Sequence, residues 1–221
     1  MSELTLYIGN KNYSSWSLRA WLALKQVGTP FKEVVIPLEG AGKPTVAIAA
    51  HSPSGKVPAL RYGDMVVWDS LAIGEYLASE FHQAHLWPDE RIARAFARSA
   101  SAEMHSGFPA LRSQLPMNVR RAPIELARTP EVELEIGRIV SLWGEARHRF
   151  GAAGPYLFGR FSLADAMFAP VASRFRTYGV PLDAMATDYI RTIHELPAMQ
   201  EWIEAAKRET WSIPSYEQIG S

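Results

Sequence analysis

Residues 51–60 of this chain, His51-Ser52-Pro53-Ser54-Gly55-Lys56-Val57-Pro58-Ala59-Leu60, decide the fold, and Asp69-Ser70 follows nine residues later. A Val-Pro pair that enters a short strand offers backbone hydrogen bonds to an extended ligand. Asp69-Ser70 stands before an apolar helical pattern, where free N–H groups and the positive end of the helix dipole favour a carboxylate. The carboxylate of Asp69 is a partner for an ammonium group. Together these features predict a site for a small peptide-like ligand that carries an α-amino and an α-carboxylate group.

Composition narrows the class of protein. The chain has 221 residues, enough for one large domain or two small ones. Lys and Arg together number 23, as do Asp and Glu, so no overall field favours nucleic acid or an anionic membrane. The sequence has no apolar run of about 18 residues, and its first residues lack the pattern of a signal peptide. We therefore expect a cytoplasmic enzyme with no nucleic-acid partner and no membrane association.

Cysteine usage excludes several kinds of chemistry. The chain has no cysteine, so it has no disulfide, no cysteine-based metal site and no protein thiol that acts as a nucleophile. No other residue pattern suggests a metal site, and we expect none.

The first 81 residues alternate between strand and helix patterns. Strands are predicted at 4–8, 31–36, 57–62 and 65–68, helices at 14–28, 45–50 and 70–81, and a loop at 39–44. The order βαβαββα is that of a thioredoxin-like α/β domain with a mixed four-stranded sheet. Its first crossover is expected to be right-handed and parallel, and its last two strands should form a hairpin.

The remainder of the chain is predicted to be helical. Helices are predicted at 90–115, 130–150, 163–178 and 197–209, and no convincing strand follows Trp87. We therefore predict a thioredoxin-like domain at 1–81, a linker at 82–88 and an all-α C-terminal domain at 89–221.

Four segments together resemble one known family. They are residues 12–19 (NYSSWSLR), 52–60 (SPSGKVPAL), 69–77 (DSLAIGEYL) and 162–165 (SLAD). In this order and spacing they resemble the cytosolic glutathione S-transferases over essentially the whole chain, closest in motif to the serine-type zeta, theta and delta classes. The resemblance implies glutathione as co-substrate, conjugation of its thiolate to a small hydrophobic electrophile, and a homodimer.

The resemblance also assigns roles around residues 56–70. It implies a cis peptide between Val57 and Pro58, which turns the Val57 backbone toward the cysteinyl unit of glutathione. Ser70 would take the γ-glutamyl carboxylate, and Asp69 would pair with the γ-glutamyl ammonium. Lys56 would reach the glycyl or γ-glutamyl end, or be solvated. A trans proline on an edge strand and ordinary N-capping by Asp69 and Ser70 are the alternatives.

The family's chemistry needs a thiolate near neutral pH. A free thiol has a pKa of about 8.5, which a hydrogen-bond donor or a helix N-terminus lowers. Tyr13, Ser14 and Ser15 stand at the start of the first helix; two alignments of register favour Ser14, with Ser15 second, and a third gives Asn12. Trp16 replaces the cysteine of the zeta-like motif, which weakens the case for maleylacetoacetate isomerase activity. A serine pair that only caps the helix is the alternative.

The acceptor substrate is expected between the domains, against the helix that starts near Glu90, with Trp211 closing over it. The predicted lining residues are Met104, His105, Phe108, Leu111 and Arg112. His105 is either an acid–base group or an inert, hydrogen-bonded histidine. Ser162 and Asp165 form a capping box, so Asp165 is interpreted as structural.

Two other functions stay open at this point. One is glutathione-dependent isomerisation or peroxide reduction, in which the same thiolate adds and leaves. The other is a non-catalytic module that binds glutathione or a partner protein without turnover. Thiol transfer through a protein cysteine is excluded, because the chain has none.

Overall fold

The computed structural model of the protein describes residues 3–38 and 45–220. The sheet is formed by β1 (Leu4–Ile8), β2 (Lys32–Val35), β3 (Ala59–Tyr62) and β4 (Met65–Trp68). The helices are α1 (Ser15–Val27), α2 (Val46–Ala49), α3 (Ser70–Glu80), α4 (Arg91–Ser106), α5 (Pro109–Gln114), α6 (Pro130–Phe150), α7 (Leu163–Thr177), α8 (Ala184–Glu195), α9 (Pro197–Arg208) and α10 (Pro214–Glu217). The loop predicted at 39–44 lies outside the described residues.

The N-terminal sheet has the strand order β2-β1-β3-β4. β1 pairs in parallel with β2 and antiparallel with β3, and β3 pairs antiparallel with β4 as a hairpin. The mixed four-stranded sheet and the helical C-terminal domain confirm the fold predicted from the sequence. None of the helices in the described ranges is both long and apolar enough to cross a membrane.

Local sequence explains where the first helix begins and ends. The Ser14 side chain caps the N-terminus of α1 and accepts a hydrogen bond from the Ser17 N–H. Gly28 ends the helix in the left-handed conformation, with φ 75°, and its N–H donates to the Leu24 carbonyl. The cavity described below is therefore built on a helix whose N-terminus is fixed by its own sequence.

The two domains pack closely at α3 and α7. A Cβ atom on Gly74 would lie 2.4 Å from Leu163 Cδ2, so only glycine lets the two helices approach this far. The Leu163 N–H donates to the Leu86 carbonyl across the same junction. The hydrophobic core runs without interruption from the sheet through α1 into the helical domain.

The single helix predicted at 90–115 is wrong. Helix α4 ends at Ser106, Phe108 adopts φ 61°, and α5 starts at Pro109. Proline has no N–H to donate and disfavours helical geometry in the residue before it, so the chain turns at this point. The break redirects every side chain that follows, including Arg112.

Two helices were not predicted. Helix α8 has Asp183 as its N-cap, which accepts a hydrogen bond from the Ala186 N–H, and buries Ala186, Tyr189 and Ile193 on one side. This cap and this spacing were a usable signal. Helix α10 is only four residues long and has no side-chain cap hydrogen bond.

Candidate functional site

A cavity of about 370 Å³ lies between the two domains. On one side it is lined by Ser14, Ser15, Lys56 and Val57, which we call the sheet-side wall. On the other side it is lined by Arg112, Met117, Arg174, Ile213 and Tyr216, which we call the helical wall. Trp16 also lines the cavity.

The two serines at the start of α1 differ in their hydrogen bonds. Ser14 Oγ donates to Ser17 Oγ at 2.7 Å, and Ser17 Oγ accepts from the Gly9 N–H at 3.0 Å. The Ser15 hydroxyl has no hydrogen-bond partner within residues 3–38 and 45–220. Ser15 thus has a hydroxyl proton available to a ligand, whereas that of Ser14 is engaged within the protein.

The other two residues considered at this position are also engaged. Asn12 is fully buried, where its side-chain amide donates to Asn118 Oδ1 at 2.9 Å and its Oδ1 accepts from the Arg120 N–H at 2.7 Å. The Tyr13 hydroxyl donates to Glu217 and accepts from Arg120 at 3.1 Å. Burial and the Glu217 carboxylate raise the Tyr13 pKa.

The peptide bond between Val57 and Pro58 is cis, as the sequence resemblance implied. Pairing of β3 with its two neighbouring strands begins at Ala59. The Val57 backbone therefore lies before the sheet ladder, on the cavity side. Lys56 and Val57 line the cavity, and Pro58 does not.

Asp69 and Ser70 form the N-terminus of α3, outside the cavity lining. Asp69 has φ 76° and caps the helix through Oδ1, which accepts from the Leu71 N–H at 2.9 Å and the Ala72 N–H at 3.3 Å. Ser70 is 1% exposed, and its hydroxyl has no partner in the described residues. A buried polar group without a partner is unfavourable, so this hydroxyl marks a position where a ligand atom would be stabilised.

The second oxygen of Asp69 is also occupied. His105 Nε2 lies 3.1 Å from Asp69 Oδ2, and the His105 ring meets the Trp16 ring edge-on with centroids 5.1 Å apart. Burial lowers the His105 pKa, and the charges of Arg19 and Arg112 lower it further, against the opposing effect of Asp69. His105 therefore supports the Asp69 carboxylate and does not line the cavity.

Only Arg112 of the five predicted acceptor-site residues lines the cavity. Met104, Phe108 and Leu111 are 1%, 6% and 0% exposed and belong to the hydrophobic core. Met104 lies on the buried face of α4, and the break between α4 and α5 turns Phe108 and Leu111 toward the core. Pro116 and Met117, which follow α5, line the cavity in their place.

The C-terminal segment closes the cavity with different residues from the one predicted. Ile213 and Tyr216 line it, whereas Trp211 is 41% exposed and does not. The segment is held by the Glu209 carboxylate, which accepts from the Lys11 N–H at 2.6 Å and the Asn12 N–H at 3.0 Å. These contacts join residues almost 200 positions apart, and no local sequence pattern signals them.

Asp165 is placed as the capping box requires. Its Oδ2 accepts from the Ser162 N–H at 2.8 Å and the Ser162 hydroxyl at 2.9 Å. Its Oδ1 accepts from the Leu157 N–H and the Tyr189 hydroxyl, each at 3.1 Å. It lies in the core, away from the cavity, and burial raises its pKa to about 6.

Comparison with known proteins decides the family. The models for the N-terminal and C-terminal domains of glutathione S-transferases match residues 13–80 and 96–205. The chain belongs to the glutathione S-transferase family. A theta class glutathione S-transferase from Xanthomonas axonopodis pv. citri, solved with glutathione bound, is 25% identical, with a TM-score of 0.66 over 92% of this chain and 98% of that chain.

Two curated relatives either have lower identity than this theta class structure or match a shorter part of the chain. Protein IN2-1 homolog B of Oryza sativa subsp. indica is 23% identical over 163 residues, which are 74% of this chain and 62% of that protein. The chain thus spans less than two thirds of that relative's length. A probable maleylacetoacetate isomerase of Caenorhabditis elegans is 35% identical over 108 residues, 49% of each chain.

Proposed function

We propose that this protein binds glutathione along the sheet-side wall and transfers it to a small electrophile held by the helical wall. The observation that carries the proposal is the meeting of the α1 N-terminus and the Val57 backbone in one cavity. The α1 N-terminus is suited to a sulfur anion, and the Val57 backbone is suited to hydrogen bonds with a short peptide. The solved theta class relative that binds glutathione supports the same ligand.

The ligand's γ-glutamyl end is assigned to α3. The Ser70 hydroxyl and the free N–H groups at this helix N-terminus would take its carboxylate. Asp69 would take its ammonium through Oδ2, which now lies against His105. Lys56 would face the glycyl carboxylate, and the Val57 N–H and C=O would pair with the cysteinyl unit.

Activation of the thiol is assigned to the α1 N-terminus. A hydrogen bond from a serine hydroxyl and the positive end of the helix dipole both stabilise a thiolate. Since the Ser14 proton is donated to Ser17, we assign the donation to Ser15 and give Ser14 the role of fixing the turn. The sequence had ranked these two residues in the opposite order.

The reaction proposed is nucleophilic substitution. The thiol loses its proton to solvent, the sulfur forms a bond to the electrophilic carbon, and the leaving group departs with its bonding electron pair. For a chloronitroarene the leaving group is chloride. The serine remains uncharged throughout, because it stabilises the anion and does not attack.

The test combines binding with turnover. The protein should be retained on immobilised glutathione, be eluted by free glutathione, and conjugate chlorodinitrobenzene. Retention without conjugation of any electrophile would favour a non-catalytic binding module. Failure of retention would overturn the proposal.

Isomerisation is the second candidate, supported by the Caenorhabditis elegans relative. In that reaction the thiolate adds to a double bond and later leaves, so glutathione is regenerated. Assay of a cis-to-trans isomerisation with catalytic glutathione separates it from conjugation, which consumes glutathione in equal amount to product.

We also propose the assembly, the location and the domain limits from what is typical of the glutathione S-transferase family. The protein is a homodimer in the cytoplasm, its first domain ends at residue 81, and its second begins at residue 89. Sedimentation of the purified protein tests the first of these directly.

A further inference from the structure

The helical wall presents two guanidinium groups to the cavity, those of Arg112 and Arg174. Lys56, Arg112 and Arg174 line the cavity, and none of the Asp and Glu residues that the structure describes does. The overall charge of the chain is zero, so this concentration of positive charge is a local property of the site.

Arg174 is the more deeply buried of the two arginines. It is 5% exposed, and its Nη1 donates to the Leu115 carbonyl at 2.5 Å. A carbonyl satisfies a donor but leaves the charge uncompensated. Burial and the nearby charge of Arg112 lower the Arg174 pKa to about 10, at which it is still a cation near neutral pH.

Arg112 is held in place by backbone carbonyls and by an aromatic ring. Its Nε donates to the Gly107 carbonyl at 2.9 Å, and its Nη2 donates to the Met104 carbonyl. Its guanidinium carbon lies 4.8 Å from the centroid of the Trp16 ring. The nearby Glu135 carboxylate already accepts two backbone N–H groups of α5.

A third guanidinium lies behind Trp16. The guanidinium carbon of Arg19 is 4.4 Å from the Trp16 centroid, and the residue is fully buried. Its Nε, Nη1 and Nη2 have no hydrogen-bond partner among the described residues. Burial and the charges of Arg112 and Arg174 lower the Arg19 pKa, the charge of Asp69 opposes this, and no hydrogen bond in the described residues stabilises the guanidinium.

Buried charges without partners are costly, and an incoming anion offsets that cost. A carboxylate suits the planar fork of an arginine, which can bind both of its oxygens. We infer that the electrophile conjugated at this site carries a carboxylate, which Arg174 and Arg112 hold while the reactive carbon faces Ser15. This inference rests on the proposed function and adds the substrate class: an anionic acceptor, not a purely hydrophobic one.

The direct test uses two product analogues that differ in one group. S-(para-carboxybenzyl)glutathione and S-benzylglutathione share every group of glutathione, and only the first carries an acceptor carboxylate. Isothermal titration calorimetry should show the carboxylated analogue binding roughly 10- to 100-fold more tightly, as expected for a charge-assisted hydrogen bond. Equal affinities would overturn the inference and leave the proposed function intact.

Variants assign the preference to Arg174. Arg174→Gln should abolish the difference between the two analogues, and Arg174→Lys, which keeps the charge, should retain part of it. Arg176→Gln is the matched control, because Arg176 is exposed two residues further along the same helix and does not line the cavity. Arg176→Gln should prefer the carboxylated analogue as strongly as the native protein does.

The remaining outcomes are also decisive. If Arg174→Gln weakens both analogues equally while Arg174→Lys does not, Arg174 holds a carboxylate of glutathione itself and the inference is wrong. If the native protein binds neither analogue, the proposed function fails and the inference falls with it. Turnover of chlorodinitrobenzoate relative to its amide, each divided by its uncatalysed rate, should show the same preference.

Discussion

The two walls of the cavity are built in different ways. The sheet-side wall consists of short segments whose positions follow from local features: a helix cap at Ser14 and a cis peptide before Pro58. The helical wall joins residues far apart in the chain, such as Arg112 and Arg174, and Arg174 reaches it by donating to the Leu115 carbonyl at the end of α5. The sheet-side wall is thus fixed by local sequence, as suits the one ligand proposed for it, whereas the helical wall, to which we assign the second substrate, depends on long-range packing.

The largest expected effect tests whether α3 belongs with the sheet-side wall in binding glutathione. Ser70→Ala and Asp69→Ala should each raise the KM for glutathione by roughly 10- to 100-fold, because a charge-assisted hydrogen bond to the bound ligand is lost. The kcat at saturating glutathione should change much less. Steady-state kinetics with one chloronitroarene measures both.

Asp69→Asn is the matched control for the helix cap. Asparagine is as good an N-cap as aspartate and tolerates a positive φ, but it has no charge for the ammonium. If Asp69→Asn behaves like the native protein, the defect of Asp69→Ala comes from the lost cap, and the ion pair with glutathione is refuted.

The same difference between the walls explains what the sequence could predict. The strands of the sheet, the β3–β4 hairpin and the start of α1 follow from periodicity, glycine positions and caps, all of which act over a few residues. The position of Asp69 and Ser70 at the start of α3 was predicted because they stand in a helix-start pattern. The engagement of the Ser14 hydroxyl was not predictable, because its 2.7 Å contact with Ser17 Oγ depends on the fold around Gly9, whose N–H also donates to Ser17.

The helical wall could not be predicted in the same way. One proline at 109 divides the helix predicted at 90–115 and turns Phe108 and Leu111 into the core. Arg174 lines the cavity because α7 passes beside the carbonyl of Leu115, a contact between residues 59 positions apart. Such long-range contacts depend on the tertiary packing of whole helices, which a single sequence does not reveal.

A smaller effect is expected for Asp165, whose carboxylate we assign to folding and not to the glutathione site. Asp165→Asn should lower the free energy of unfolding by about 1–3 kcal/mol, since it leaves buried donors without a full partner, and should leave the KM for glutathione unchanged. Urea denaturation and steady-state kinetics measure the two quantities. A changed KM with unchanged stability would contradict the structural role.

The pH dependence of the same variant has a definite sign. Burial raises the Asp165 pKa in the folded protein from an ordinary 3.8 to about 6. The stability gained from its protonation is therefore fully present below the unfolded pKa and is lost as pH rises through about 6. The stability difference between the native protein and Asp165→Asn should shrink as pH rises from about 4 to about 7, and a growing difference would refute the shift.

The central claim is that a serine hydroxyl at the start of α1 stabilises the glutathione thiolate. Its most direct test is an ultraviolet titration of the thiolate in the complex with glutathione, for the native protein, Ser15→Ala and Ser14→Ala. The account predicts that Ser15→Ala raises the pKa of bound glutathione by about one unit, or about 1.4 kcal/mol, with little change in glutathione affinity and a smaller shift for Ser14→Ala. A larger shift for Ser14→Ala would move the role to Ser14, and no shift in either variant would contradict the claim.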